Sequence, residues 1–224
     1  MAEATTFQDA RRELGVTGSL EKRVLLWLAA RMPARVNSDH LTGLGFAAML
    51  AAGAAYALSG HWPWLLLVVN VLLAVNWFGD SLDGTLARFR DRCRPRYGFY
   101  VDHMVDIFGA LFLVGGLALS GYMSAGVAVG VLVSYLMMAI HVYLATYTLG
   151  VFKIAYGGLG GTELRLLLAA GNLVVMALPR VTVAGMSVLV FDIVGTAAAA
   201  GLVVMLARAV ARSTRELYER ERLP

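Results

Sequence analysis

Four aspartates lie close together in the chain, and their spacing suggests one shared site. Asp80 and Asp83 are three residues apart, and Asp102 and Asp106 are four residues apart. On a helix, either spacing places both side chains on one face, one turn apart. Two such helices facing each other would direct four carboxylates into one volume. Unpaired anions between apolar segments are costly, and divalent metal ions are the simplest way to neutralise them.

The residue types around these acids favour a hard cation. Cys93 is the sole cysteine of the chain, and no cluster of histidines accompanies the acids. Carboxylate oxygens alone suit Mg²⁺, Mn²⁺ or Ca²⁺ better than zinc. Four carboxylates can hold two ions, and a two-metal clamp can polarise a phosphoryl group and stabilise a leaving oxygen. We therefore predict a site for two Mg²⁺ ions, in which Mn²⁺ can substitute.

The chain that must position these acids is typical of a membrane protein. Of its 224 residues, 59% are hydrophobic, whereas soluble domains contain about 45–50% apolar residues. We predict an all-α integral membrane fold with six transmembrane helices, each needing roughly 20 residues. The spans are expected at about residues 41–59, 64–89, 97–119, 127–151, 163–178 and 183–210. The fifth is short for a full span.

A single membrane domain, residues 36–212, accounts for most of the chain and is flanked by residues 1–35 and 213–224.

Residues 19–33 predict a short amphipathic helix that begins at Ser19 as N-cap and stops before Pro33. This helix is too short and too charged to cross a membrane. It lies either in the membrane interface or on the cytoplasmic surface of the domain itself.

Basic residues alternate between the loops and indicate the orientation of the chain. Lysine or arginine flanks the N-terminal helix, the second loop, the fourth loop and the C-terminal tail, whereas the first and third loops carry none. The positive-inside rule then places both termini in the cytoplasm. The aspartates are expected at the cytoplasmic ends of the second and third spans, where water-soluble substrates can enter. The net charge of +4 suits an anionic membrane surface better than nucleic acid.

The acids form part of a longer pattern that resembles the signature of the CDP-alcohol phosphotransferase family. The sequence carries all eight positions at the family's intervals, with nine residues between Arg88 and Gly98: Asp80, Asp83, Gly84, Ala87, Arg88, Gly98, Asp102 and Asp106. The resemblance implies an integral membrane enzyme of phospholipid biosynthesis. Such an enzyme transfers a phosphate-linked group from a CDP-linked donor to an alcohol and releases CMP. The resemblance also suggests a homodimer and a location in a bacterial cytoplasmic membrane.

The resemblance implies roles for the acids of the motif. Asp80, Asp83 and Asp102 are expected as metal ligands, and Asp106 as a ligand or as the general base. These two roles compete, because a metal-bound carboxylate is a weak base. His103 follows Asp102 directly, as in the branch of the family that uses CDP-choline or CDP-ethanolamine. Histidine titrates near neutral pH and is the alternative base, unless it is a hydrogen-bonded packing residue.

Small and basic residues of the motif have two interpretations each. Gly84 and Ala87 leave one side of their helix bare, which permits either close approach of a nucleotide or contact with another helix. Arg88 is placed to pair with the donor phosphates, or it anchors the helix at the membrane surface. Gly98 would let the third span come near the site.

Residues 36–45 look like the family's segment that begins the first span, although Ser38 and Asp39 stand where proline and asparagine are usual. Asp39 could contact the cytidine, but we expect it instead to N-cap the first span. Lys153 and Arg165 flank the fourth loop and could bind the phosphate of an acceptor. The simpler interpretation of both is ordinary loop charge.

The identity of the donor is open between two alternatives. An acceptor phosphate at Lys153 and Arg165 favours CDP-diacylglycerol as donor and a polar alcohol as acceptor, and we lean to this version. In the other version, CDP-choline or CDP-ethanolamine meets a lipid alcohol. Outside the enzymes, a transporter with intramembrane carboxylates is the main rival. A transporter site is expected at the midplane of the membrane, whereas these acids lie near helix ends.

Overall fold

The computed structural model describes residues 18–150 and 160–223. Within them the chain forms helices joined by short loops, together with one hairpin. The elements are α1 (Gly18–Arg31), α2 (Ser38–Ser59), α3 (Leu65–Phe89), α4 (Pro95–Leu119), α5 (Ala125–Leu149), α6 (Gly161–Ala177), β1 (Arg180–Val183), β2 (Met186–Leu189) and α7 (Val190–Arg220). The predominantly helical fold expected from the sequence is therefore present.

Five helices in the described part of the chain are long and apolar enough to cross a membrane, namely α2, α3, α4, α5 and α7. The expected fifth span corresponds to α6, which has 17 residues and carries Glu163 and Arg165 near its start. At about 1.5 Å per residue, α6 is shorter than a hydrocarbon core of about 30 Å. Five of the six expected spans thus have spanning length, and a crossing by α6 stays a prediction.

The start expected for the last span, at residue 183, is wrong. Arg180–Val183 and Met186–Leu189 pair as antiparallel strands. The turn residues Ala184 and Gly185 both have positive φ, 49° and 82°, as a two-residue turn that matches the strand twist requires. Helix α7 begins only at Val190 and continues to Arg220, so most of the segment assigned to the C-terminal tail is helical.

Glycines bring α2 into close contact with α3 and α4. A Cβ atom on Gly116 would lie 2.0 Å from the carbonyl oxygen of Gly53, and one on Gly53 would lie 2.3 Å from that of Phe112. On α3, a Cβ atom on Gly79 would lie 2.5 Å from the carbonyl oxygen of Leu41. Small residues of this kind allow membrane helices to approach through their backbones. Since Gly79 precedes Asp80, this contact holds the first motif acid against α2.

Two groups of buried apolar side chains hold the helices together. The larger group joins α2, α3, α4, α5, α6 and α7 and includes Tyr56, Leu66, Leu113, Ala128, Val175 and Phe191. The smaller group joins α1 to the ends of α2 and α3 and consists of Leu25, Ala29, Leu41, Leu82 and Leu86.

Helix α1 therefore packs on the domain's own surface, which was one of the two expected arrangements. It begins at Gly18, so Ser19 lies inside the helix rather than at its cap. The apolar side chains of Val24, Leu26 and Trp27 are exposed on α1. Through them α1 can also contact the membrane interface.

A chain of buried polar side chains fastens α6 to its neighbours. Tyr56 Oη donates to Asn172 Oδ1 over 2.7 Å, and Asn172 Nδ2 donates to Asn70 Oδ1 over 2.7 Å. Asn70 Nδ2 in turn donates to the carbonyl of Ala169 over 3.1 Å. A network whose members all have partners makes helix positions specific in an apolar environment. The short α6, and with it Arg165, is held in this way against α2 and α3.

Candidate active site

The aspartates of α3 and α4 come together at one end of the helix pair. Asp80 and Asp83 lie near the end of α3, and Asp102 and Asp106 lie near the start of α4. The charges of Asp80, Asp102 and Asp83 all act on Asp106. Asp106 nevertheless keeps an accessible surface, so a molecule can reach the centre of this group. The sequence spacing and the fold thus bring the four acids into one region.

Arg165 of α6 forms an ion pair with Asp80. Its Nη2 donates to Asp80 Oδ2 over 2.5 Å, and its Nε donates to Asn76 Oδ1 over 2.7 Å. The side chains of Arg165 and Asp80 are only 18% and 26% exposed, so this charge-assisted pair is partly shielded from water. Asn76 also donates to the carbonyl of Gly45 on α2 over 3.0 Å. Arg165 is therefore bound to the motif helix rather than displayed as a loop charge.

Asp83 is oriented by Thr42 of α2. Thr42 Oγ1 lies 2.5 Å from Asp83 Oδ2 and 3.0 Å from the carbonyl oxygen of Ser38. Its single hydroxyl proton serves one of these acceptors at a time. Thr42 and Asn76 are site residues that sequence reasoning did not select. The signals were present, since Thr42 belongs to the segment that begins the first span and Asn76 is a polar residue one turn before Asp80.

The acids supply suitable ligand chemistry for a hard cation but are not gathered around one point. No three of the His, Cys, Asp and Glu side chains in residues 18–150 and 160–223 lie close enough together to hold one ion. In this arrangement Asp80 contacts Arg165 and Asp83 contacts Thr42. The oxygen donor set itself fits Mg²⁺ or Mn²⁺.

The small residues of the motif face open space rather than another helix. Among the described residues, a Cβ atom on Gly84 would meet only the side chain of Arg88, at 3.3 Å from Nη1, and one on Gly98 would meet nothing within 4 Å. Arg88 Nη2 donates to Thr85 Oγ1 over 3.3 Å. Ala87 is half-buried on the same helix. Of the two interpretations of Gly84, helix packing is the one that this geometry disfavours.

His103 is held by aromatic and backbone contacts. Its Nδ1 lies 2.6 Å from the carbonyl oxygen of Phe99 and 3.9 Å from Asp102 Oδ2. Its ring centroid lies 4.1 Å from that of Phe99 and 4.8 Å from that of Tyr143. These contacts agree with a packing role, and they also direct Nδ1–H towards Phe99, so that Nε2 is the proton-accepting nitrogen of the neutral ring.

Helix α5 adds two tyrosines that sequence reasoning missed. Tyr135 lies near enough to Asp106, Asp80 and Arg165 for their charges to act on its hydroxyl group. Tyr143 interacts with Asp106 and Asp102 as well as with the ring of His103. Tyrosines in an apolar span were the only sequence signal for them.

One expected site residue, Asp39, does not take the position predicted for it. Asp39 does not cap α2, because Asn37 is the N-cap and its Oδ1 accepts from the backbone of His40 over 2.9 Å. Asp39 lies two residues further along, in the first turn of α2 at the surface, and pairs with Arg94. Lys153 lies outside the described residues.

Searches of protein-family models and of curated proteins with this sequence find no match. The chemical interpretation therefore rests on the residues and their geometry.

Proposed function

We propose that the protein is a membrane enzyme of the CDP-alcohol phosphotransferase type. It transfers a phosphate-linked group from a CDP-linked donor to an alcohol and releases CMP. The observation that carries this proposal is that Asp80, Asp83, Asp102 and Asp106 lie at the same end of α3 and α4, near enough for the charges of the other three to act on the accessible Asp106. These four acids belong to the eight-position motif and come from two helices, beside two glycines that leave space for a ligand.

The donor's nucleotide is expected along the exposed side of α3. Gly84 presents its backbone there without a neighbouring helix among the described residues, which permits close approach of a planar base or a ribose. Arg88 lies over Gly84 and one turn beyond the acids, where its guanidinium can pair with the donor phosphates.

In the reaction, one P–O bond forms and another P–O bond at the same phosphorus breaks. The acceptor hydroxyl oxygen bonds to the phosphorus that carries the donor's alcohol, the bond from this phosphorus to the bridging oxygen breaks, and CMP leaves with the electron pair. Asp106 and His103 are the two groups placed to take the hydroxyl proton. Asp80, Asp83 and Asp102 would hold Mg²⁺ or Mn²⁺, which supplies charge neutralisation at the pyrophosphate when bound.

The contact between Arg165 and Asp80 favours CDP-diacylglycerol as the donor. A guanidinium beside the motif can bind the phosphate of a small acceptor bidentately, and it would place the acceptor hydroxyl near the acids. An acceptor with its own phosphate belongs to the version in which the lipid is on the donor. The version with CDP-choline or CDP-ethanolamine has His103 in its favour.

The proposal also covers the membrane in which the protein lies and the partner with which it assembles. We expect a bacterial cytoplasmic membrane. The alternation of basic loops supports both termini in the cytoplasm, and the motif then faces the cytoplasmic substrates. A second copy of this chain is the expected partner.

The test is release of CMP by the purified protein with Mg²⁺, offering CDP-diacylglycerol, CDP-choline and CDP-ethanolamine in turn against pooled acceptors. We expect release with CDP-diacylglycerol. Asp83→Asn should lower kcat by roughly a hundredfold or more, because transition-state charge stabilisation is lost. The matched control is Asp192→Asn in α7, whose residue accepts from the backbone of Ser124 over 2.7 Å, far from the motif. No release with any donor from folded protein would refute the enzyme and bring the transporter forward.

A further inference from the structure

Glu21 of the N-terminal helix α1 forms hydrogen bonds with both α3 and α6. Glu21 Oε1 accepts hydrogen bonds from Trp77 Nε1 over 2.8 Å, Ser81 Oγ over 3.2 Å and Thr162 Oγ1 over 2.8 Å. Two of these donors belong to α3 and one to α6, so a single carboxylate joins three helices. Hydrogen bonds to an ionised acceptor are roughly twice as strong as those between neutral groups.

On α3, each residue that donates a hydrogen bond to Glu21 directly follows a residue that accepts one from Arg165. Trp77 directly follows Asn76, and Ser81 directly follows Asp80. Glu21 and Arg165 therefore form hydrogen bonds with neighbouring faces of the same turn of α3. Glu21 has the opposite charge to Arg165 and approaches from α1, whereas Arg165 approaches from α6.

Glu21 also acts on α6 at a point next to Arg165. Thr162 and Arg165 are three residues apart in the first turns of α6, and such residues lie on one face of a helix. A carboxylate at the start of a helix is further stabilised by the helix dipole. Movement of this first turn would change the distance between Arg165 and Asp80.

We propose that Glu21 is a positioning residue for acceptor binding. It fixes the first turn of α6 against α3 and so determines where the guanidinium of Arg165 stands beside Asp80. The inference rests on the proposed function, in which Arg165 binds the phosphate of the acceptor. Glu21 acts through Thr162 and Arg165 and has no contact with the four acids of the motif among the described residues.

Removal of Glu21 is compatible with a folded protein. Helix α1 also packs Leu25 and Ala29 against Leu82 and Leu86, and these buried apolar contacts do not depend on the carboxylate. The start of α6, in contrast, receives its contact from α1 through Thr162. The effect of a substitution at Glu21 should therefore appear at Arg165 rather than in the packing of α1.

The kinetic test compares Glu21→Ala and Glu21→Gln with the wild type, using glycerol 3-phosphate and an inositol phosphate as acceptors. We expect Glu21→Ala to raise the KM for the acceptor by about tenfold, as loss of charged hydrogen bonds predicts, with kcat and donor KM little changed. Glu21→Gln keeps an oxygen acceptor and should restore most of the affinity. Glu216→Ala, which removes a carboxylate from an exposed pair with Arg220, is the matched control and should behave as the wild type.

A fall in kcat with both KM values unchanged would overturn the proposal, because it would mean only a smaller folded fraction. Wild-type kinetics in Glu21→Ala would overturn it too.

A second measurement does not depend on activity. Hydrogen exchange in detergent should be faster in Glu21→Ala for the amides of residues 164–167, which bond within the first turn of α6, and unchanged for residues 170–177. Unchanged exchange in residues 164–167 would overturn the positioning role. If the wild type releases no CMP with any donor, the proposed function fails, while the exchange result still decides whether Glu21 positions α6.

Discussion

Two sets of glycines occupy α2, α3 and α4, and their surroundings are opposite. Gly53 and Gly116 face each other between α2 and α4, where an added Cβ atom would lie within 2.3 Å of a backbone atom. Gly84 and Gly98, at the end that carries the acids, have no other helix against them among the described residues. The first set brings backbones together, and the second keeps a surface open.

This difference shows how one residue type serves both stability and function in the same bundle. Where glycines are packed, apolar side chains such as Leu113 and Leu117 surround them and the helices cannot move apart without loss of contact. Where glycines are open, the neighbours are charged or polar, such as Arg88 and Thr85. Substitutions at the two sets should therefore separate the stability of the protein from its activity.

The largest effect is expected in the packed set. Gly116→Ala places a methyl group 2.0 Å from the carbonyl oxygen of Gly53, so the backbones of α2 and α4 must separate at a cost of about 3 kcal/mol. Gly115→Ala is the matched control, since nothing described lies within 4 Å of its Cβ position and alanine favours a helix. Thermal unfolding in detergent should show a clearly lower Tm for Gly116→Ala alone. An equal Tm for the two variants would contradict the contact.

A smaller effect, and one on activity alone, is expected in the open set. Gly84→Ala meets only the flexible tip of Arg88 among the described residues, so its Tm should equal or exceed that of the wild type. The methyl group would occupy the space proposed for the donor and raise the donor KM by about tenfold, as crowding of a well-fitted contact does. Steady-state CMP release measures this. A lowered Tm with unchanged KM would mean that Gly84 packs like Gly116.

The smallest effect is expected at Asp39, which lies near the open set but pairs with Arg94 at the surface. The two side chains are 45% and 50% exposed, and exposed ion pairs contribute about 0–1 kcal/mol. Asp39→Ala should therefore change neither Tm nor donor KM appreciably. Chemical denaturation and CMP release test this, and a severalfold rise in donor KM would restore the cytidine contact that the sequence segment first suggested.

The helices were predictable because hydropathy over about 20 residues is a local property. The hairpin at Arg180–Leu189 was missed for a related reason. Its valines continue the apolar composition of the following helix, so only the positive φ angles at Ala184 and Gly185 reveal the turn. The cap of α2 was misassigned by two residues, because asparagine and aspartate are almost equally good caps and stand close together at Asn37 and Asp39.

The amino-acid sequence by itself determined the membrane character of this protein and the pairing of its acids, because both follow from residue type and helical spacing. Only the tertiary structure determined which side chains from other helices contact the motif aspartates and their helix. Arg165 and Asp80 are 85 positions apart, and Glu21 and Thr162 are 141 apart. No periodicity relates residues so distant in the chain. Their contacts exist because buried apolar side chains hold α1 against α3, and because hydrogen bonds of Asn70 with Ala169 and Asn172 hold α6 against α3.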